Sequence, residues 1–338
     1  MITLFRYRAG MFRQRLTKTI DHVVGIPAAQ LWARYHPADI SMFFEFKAGP
    51  YGGGNQFLKA FWGELERREL RVENNTISPA AQACLFNSYN FDFTRLRRMA
   101  RSGCRMVHRV DGPLTIYRGS NDESDRRIWQ INQELADVTI LQSYYSLEMY
   151  RQMGMEFKSP HVIMNAVDPA IFHARNRIPF DRSRKIHLIA ASWSDNPNKG
   201  ASILKWIEEH LDWARFEFTF VGQSPLQFER IRMLPPVPSP QLADLLRQHD
   251  IYIAASRHDP CSNALIEALS CGLPALYLNS GGHPEIVEEA GLGFDSEKEV
   301  PELLDRLVAE YDTRQAKIAV PTIREVADAY LSVMGVTG

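Results

Sequence analysis

Cysteine is scarce: Cys84, Cys104, Cys261 and Cys271 are the only four in 338 residues, and no two form a Cys-x-x-Cys pair. This excludes a disulfide-stapled scaffold and the common zinc and thiol-redox motifs, and it makes a reducing cytoplasm the expected setting. Also missing is any apolar run as long as a transmembrane helix or a signal-peptide core. With a formal net charge of -1 the chain lacks the basic excess that general nucleic-acid binding requires. A dinucleotide fingerprint started at Gly52 would need glycine where Phe57 stands, and no Gly-Lys-Ser/Thr follows to make a P-loop. The acidic run Asp122-Glu123-Ser124-Asp125 has no strand before it, as an Asp-x-Asp metal motif would. It precedes an amphipathic pattern through Ile128, Trp129, Ile131 and Leu135, so it reads as a helix cap with first-turn acids. Neither a metal nor a cofactor is expected.

Hydrophobic residues make up 45% of the chain and charged ones 23%, a globular balance, and the length suits two α/β domains. Short apolar runs alternate with amphipathic stretches. Residues 41–46, 84–86, 105–110, 138–141 and 161–164 read as strands of one sheet, and 186–190, 216–221, 251–255 and 275–278 as strands of another. Between the first of these lies a helix over 55–69, with Phe57, Leu58, Phe61, Trp62 and Leu65 on one face. Such alternation predicts parallel sheets covered on both faces. The polar stretch from Asp168 to Arg184 holds Pro169 and Pro179 without a sustained period, so the domain link is placed there. The expected organisation is a basic extension over 1–39, a first domain over 40–170, a linker over 171–184, a second domain over 185–320 and a C-terminal helix over 321–338.

Residues 259–274 carry the most chemistry. Asp259 and Glu267 stand eight positions apart across the start of a helix capped at Ser262 or Asn263 and ended by Gly272. The first amides of such a helix lack intrahelical partners, and its dipole favours negative charge. A nucleoside diphosphate sugar fits this arrangement, with phosphate at the amides, one carboxylate on sugar hydroxyls and the other on ribose.

In these residues the chain resembles the retaining glycosyltransferases of family 4 (group 1), whose signature is an acid, seven residues, Glu, then Ala-x-x-x-Gly-x-Pro. Asp259 stands where the family usually has Glu. The resemblance extends to Gly281-Gly282-His283-Pro284-Glu285-Ile286-Val287 and to Asn165-Ala166-Val167-Asp168 with Phe172, and spans about residue 40 to the C-terminus. It implies the GT-B architecture, two Rossmann-like doubly wound domains facing a central cleft, in which the C-terminal helix often crosses back to the first domain.

The resemblance also assigns roles. Asp259, Asp111 and Lys199 are the expected catalytic residues, and Gly53, Gly54, Lys199, Asp259, Cys261, Ser262, Asn263 and Glu267 the expected donor-binding ones. Gly52-Gly53-Gly54 belongs to a glycine-rich loop that in the family covers the donor diphosphate. Lys199 at a helix opening opposes the dipole, which anion binding explains, yet the Arg that usually precedes it is missing between Ala190 and Lys199. Aligned on the strand end, Asp111 takes the place of a family His, and His108 falls inside the strand as a packed residue; the alternative for Asp111 is a salt bridge with Arg109 or Arg118. His108, Ser194, His258 and Glu285 are further neighbours of the site.

The implied reaction is transfer of a sugar from a nucleoside diphosphate sugar to a hydroxyl of a glycan, a glycolipid or a similar acceptor, with retained configuration and without metal. Two rivals stand beside it: a sugar-nucleotide 2-epimerase of the same fold, and a degenerate protein that only binds the nucleotide sugar. The basic extension has a short apolar stripe interrupted by Gly10, Gly25 and Pro27, which favours packing on the first domain over a peripheral membrane contact.

Overall fold

Continuous apolar runs with little alternation suit strands buried on both faces, and here they assemble into two wholly parallel six-stranded sheets. The structure is a computed structural model that describes residues 38–47, 52–89, 91–119 and 123–336. Most of the basic extension, together with Gly49, Pro50, Tyr51 and Asp122, lies outside these residues.

The first sheet holds β1 (Ile40–Phe43), β2 (Val72–Asn74), β3 (Ala83–Asn87), β4 (Arg105–Val110), β5 (Val138–Leu141) and β6 (Pro160–Val162), in the order β2-β1-β3-β4-β5-β6. The second holds β7 (Ile186–Ser192), β8 (Phe216–Gly222), β9 (Arg232–Leu234), β10 (Ile251–Ala254), β11 (Ala275–Leu278) and β12 (Gly291–Phe294), in the order β12-β11-β10-β7-β8-β9. Sequence pattern does not reveal β2, β9 and β12. The first two are short edge strands with polar residues, and β12 carries two glycines that weaken strand propensity until pairing with β11 decides the matter. The first strand stops at Phe43, short of the expected Phe46.

In open parallel sheets ligands gather outside the strand ends where the strand order reverses. In the second sheet that point lies between β7 and β10. The loop after β7 runs to Lys199 and Gly200, and the loop after β10 carries Asp259. In the first sheet the reversal lies between β1 and β3, and the chain after β1 leads to Gly52-Gly53-Gly54.

The Gly53–Arg67 helix lies on the first sheet through Phe57, Leu58, Phe61 and Leu65, and a helix from far along the chain, Ile323–Met334, packs beside it. Tyr330 of that helix sets its ring 4.8 Å from Phe61 and 5.7 Å from Phe57. Its start is fixed by a capping box in which the Thr322 hydroxyl accepts from the Glu325 amide and the Glu325 carboxylate accepts from the Thr322 amide. Among the described residues no helix is long and apolar enough to cross a membrane.

Two expectations need correction. The helix expected from Asn55 begins at Gly53, so Gly53 and Gly54 are its first turn and Gly52, with φ 62°, is its cap. In the acidic run, Asp125 does stand in the first turn of the Ser124–Leu135 helix, as expected, but it also serves another helix. Glu123 sits at the N-cap with no side-chain bond, while the buried Asp125 carboxylate accepts from the amides of Leu114 and Thr115, both at 2.8 Å, and so caps the neighbouring Leu114–Arg118 helix.

Candidate functional site

A cleft of about 1370 Å³ separates the strand ends of the two sheets. That exceeds the roughly 300–1,000 Å³ of an ordinary small-molecule pocket and leaves room for two substrates. Gly53, Gly54, Asp111, Ser194, Lys199, Asp259, Cys261, Ser262, Asn263 and Glu267 line it; His108, His258 and Glu285 do not.

The β7 loop is built to hold Lys199 still. Asn196 accepts the Asn198 amide at 2.9 Å, a turn of 3-10 helix over Pro197–Lys199 follows, and Gly200 closes it at φ 83°. A Cβ on Gly200 would lie 2.2 Å from the Ala255 carbonyl oxygen, so only glycine permits this approach to the β10 loop. Lys199 Nζ then donates to Asp259 Oδ2 at 2.9 Å and lies 5.0 Å from the centre of the Tyr117 ring.

Burial alone would depress the Lys199 ammonium and raise the Asp259 carboxyl. The attraction between the two outweighs it, keeping Lys199 above its ordinary value and Asp259 below. Both are charged near neutral pH. The Asp259 loop is braced by Gly281, at φ 65°, where a Cβ would strike the Asp259 backbone at 2.2 Å, and by the Gly282 amide, which donates to the Asp259 carbonyl at 2.9 Å.

Glu267 is different. It lies on the cleft side of the Asn263–Ser270 helix, only 7% exposed, and burial raises its carboxyl to about 8. Below the ordinary 4.5 the group is protonated in both folded and unfolded chain; between 4.5 and about 8 the unfolded chain has lost the proton and the folded one keeps it. Stability therefore falls as pH rises through that window, by about 1.4 kcal/mol per pH unit at most. Glu267→Gln should abolish this slope. Thermal unfolding curves of mutant and parent are expected to coincide near about pH 5 and to separate in the mutant's favour by about pH 9. Parallel pH profiles would mean that the carboxylate is ionised and solvated like any surface acid.

The first domain contributes Asp111 at the end of β4. Arg109 donates to its Oδ1 at 2.7 Å, and Asn87 and Ser88 donate to Oδ2, each at 3.0 Å. Burial would raise this carboxyl, but Arg109 and these donors hold it low. The salt bridge considered as an alternative for Asp111 is thus present with Arg109, while the carboxylate still faces the cleft. Arg109 itself is fully buried and also donates to Asn165 Oδ1 at 2.9 Å; Asn165 Nδ2 donates to Asn263 Oδ1 at 2.9 Å, and Asn263 Nδ2 donates to the Gly53 carbonyl.

This polar chain joins the two domains across the cleft and has no counterpart in the sequence-based expectations. Its members Asn165, Asn263, Gly53 and Arg109 each stand out in the sequence, but nothing there links them. The chain also brings the N-termini of the Gly53–Arg67 and Asn263–Ser270 helices together, two positive dipole ends that an anion between them would satisfy. Ser262 holds the N-cap position of the second helix without a side-chain cap bond, and Cys261 is buried behind it.

Three expected neighbours do not line the cleft. His108 is a core residue of β4, stacked 4.3 Å from the Phe86 ring, with Nε2 bonded to the Ser88 carbonyl at 2.9 Å; burial depresses its imidazole to about 3, with only partial opposition from that bond. Glu285 spans the domains: its carboxylate accepts from the amides of Tyr144 and Tyr145, each at 2.7 Å, at the start of the Tyr144–Gln152 helix. His258, at φ 56°, bonds through Nδ1 to the Tyr145 hydroxyl at 3.0 Å. Glu285 and His258 thus fasten the domains beside the site. Ser194 remains in the cleft, its hydroxyl accepting from the Asn196 amide at 3.1 Å. Among the described residues no three His, Cys, Asp or Glu side chains converge as metal ligands.

Known proteins resemble this chain in two ways. Residues 185–311 match the family described as "Glycosyl transferases group 1". The GPI3 subunit of phosphatidylinositol N-acetylglucosaminyltransferase from Saccharomyces cerevisiae is 30% identical over 125 residues, covering 32% of this chain and 27% of that protein. A phosphatidylinositol N-acetylglucosaminyltransferase subunit of Homo sapiens is 28% identical over 142 residues, 38% of this chain and 28% of its own length. The matches thus span little more than a quarter of those relatives.

Among solved structures, HepE of Anabaena in complex with UDP-glucose superposes with a TM-score of 0.61 at 16% identity, over 87% of this chain and 94% of that one. The catalytic domain of Starch Synthase IV from Arabidopsis thaliana, bound to ADP and acarbose, gives 0.63 at 9% identity, over 88% and 99%. The fold is GT-B: two α/β domains with the cleft between them.

Proposed function

We propose that this chain is a retaining glycosyltransferase that moves a sugar from a nucleoside diphosphate sugar to an acceptor hydroxyl, without a metal ion. The observation that carries the reading is the convergence at one cleft of Lys199, two helix N-termini and two buried carboxylates of opposite character, Asp259 ionised and Glu267 proton-retaining. The match of residues 185–311 and the UDP-glucose and ADP in the HepE and Starch Synthase IV structures support the donor class.

In this reading the diphosphate lies between the first-turn amides of the Gly53–Arg67 and Asn263–Ser270 helices and Lys199. Fixed donors there stabilise the charge that develops on the departing phosphate. Glu267 receives the ribose hydroxyls, Asp259 the sugar hydroxyls, and Asp111 faces the reacting carbon from the acceptor side. No second carboxylate is assigned as a nucleophile, so the departing phosphate takes the acceptor proton on the same face of the sugar, which keeps the configuration.

Purified chain incubated with UDP-, GDP- and ADP-sugars and a panel of glycan and lipid acceptors should yield a glycoside of unchanged anomeric configuration by NMR, equally fast in saturating EDTA. Loss of turnover in EDTA, restored by Mn or Mg, would overturn the metal-free part. A new epimer of the donor sugar formed without acceptor would replace the transferase reading by an epimerase, and tight donor binding with neither hydrolysis nor transfer would leave a binding protein.

A further inference from the structure

The β7 loop lacks a second cation beside Lys199: between Ala190 and Lys199 there is none. The first-domain wall of the cleft has two, Lys47 and Arg118, and of these Arg118 follows directly on a segment docked against the Lys199 loop. The short helix Leu114–Arg118 of the first domain docks on this loop, with Asn198 Nδ2 donating to the carbonyls of Tyr117 at 2.8 Å and Ile116 at 3.3 Å, and Asn196 Nδ2 donating to Tyr117 at 3.2 Å.

Two side-chain amides on one loop are thus committed to the last carbonyls of that helix, whose own start is held by Asp125. The next residue, Arg118, lines the cleft with Lys199, is exposed, and forms no ion pair among the described residues. Tyr117 has Lys199 Nζ 5.0 Å from its ring centre; burial raises its phenol, and Lys199 and Arg118 both act on it in the opposite direction.

Resting on the donor class proposed above, we infer that Arg118 is the second cation of the diphosphate site, supplied across the cleft by the first domain. A guanidinium matches two phosphate oxygens at once, and it is more weakly hydrated than an ammonium. An Arg at the C-terminal end of a helix also complements the dipole there, which by itself accounts for the residue but gives it no effect on ligand binding. The docking has a further consequence: because Asn196 and Asn198 grip the peptide just before Arg118, the second cation enters the site only while the two domains are together.

The test is isothermal titration of the whole chain and of Arg118→Gln and Arg118→Lys with UDP, GDP and ADP, each beside its nucleoside. For whichever diphosphate binds, Arg118→Gln is expected to weaken it about tenfold or more, to leave the nucleoside unchanged and to flatten the decline of affinity with salt. Arg118→Lys should recover part of the loss, and the unfolding temperature without ligand should stay that of the parent, since the side chain is exposed and forms no ion pair among the described residues. Equal diphosphate affinity in Arg118→Gln, or an equal loss for diphosphate and nucleoside, overturns the inference and leaves the donor class standing. Failure of the parent to bind any of the three diphosphates overturns both.

Discussion

Lys199→Ala is expected to cost this protein both its chemistry and a large part of its stability. Asp259 is 6% exposed, and Lys199, 2.9 Å away, is its ion-pair partner. Removing one member of a buried pair strands the other charge, which costs about 3–5 kcal/mol. Transfer should fall at least on the order of a hundredfold as the leaving diphosphate loses a fixed cation. The double variant Lys199→Ala, Asp259→Asn separates the two effects. Neutralising the stranded carboxylate should recover most of the stability and none of the turnover, a coupling that a double-mutant cycle of denaturant midpoints would measure. Additive losses of stability would show that the pair is not energetically coupled.

The next largest effect is expected from Asp259→Asn. The amide keeps the shape, loses the charge that accepts strong hydrogen bonds from sugar hydroxyls, and releases Lys199 from a competing anion. Affinity for the free nucleoside diphosphate should therefore hold or increase. The catalytic constant and its ratio to the Michaelis constant should drop together, on the order of a hundredfold, because the lost contact belongs to the transition state. Lys199 keeps partial solvent access, with 23% of its side chain exposed, so the stability penalty is smaller than in Lys199→Ala. A variant that binds nucleotide poorly and turns over at the parental rate would remove Asp259 from the sugar.

How much of this is legible in the sequence depends on distance along the chain. Val138–Leu141 and Ala275–Leu278 are readable with their observed bounds, because a parallel strand buried on both faces leaves a nearly continuous apolar run; Arg105–Val110 has the expected bounds too, although Arg105, His108 and Arg109 interrupt its apolar residues. Strands β9 and β12 leave no such run. Asp259, Glu267 and Lys199 stand out by residue type, spacing and family likeness. Their states do not: Asp259 meets a partner sixty positions away, whereas Glu267 has its carboxyl raised by burial. Desolvation is a property of the assembled cleft and has no local signature.

Glu285 shows the limit most clearly. A Gly-Gly-x-x-Glu segment suggests a site acid, yet the carboxylate serves as an N-terminal cap for a helix 140 positions earlier. Asn263 shows a different limit: it lines the cleft at the start of its helix as expected, but its side chain bridges Gly53 and Asn165, which the sequence does not announce.

The position of the Ile323–Met334 helix has a consequence for how the chain acquires its shape. Ile323, Val326, Ala327, Tyr330 and Leu331 fill the same core as Ile40, Phe57 and Phe61, so the first domain, made before the second, lacks part of its interior until the Ile323–Met334 helix has been made. Domains of larger proteins commonly fold one after another as they emerge. Here that order is unavailable to the amino-terminal half. The second sheet, whose core clusters draw on residues 164–320, can mature during synthesis, while its predecessor waits with an apolar face open. A stop codon after Val320 would thus damage the half of the protein farthest from it in sequence, and the truncated product should aggregate through the first sheet.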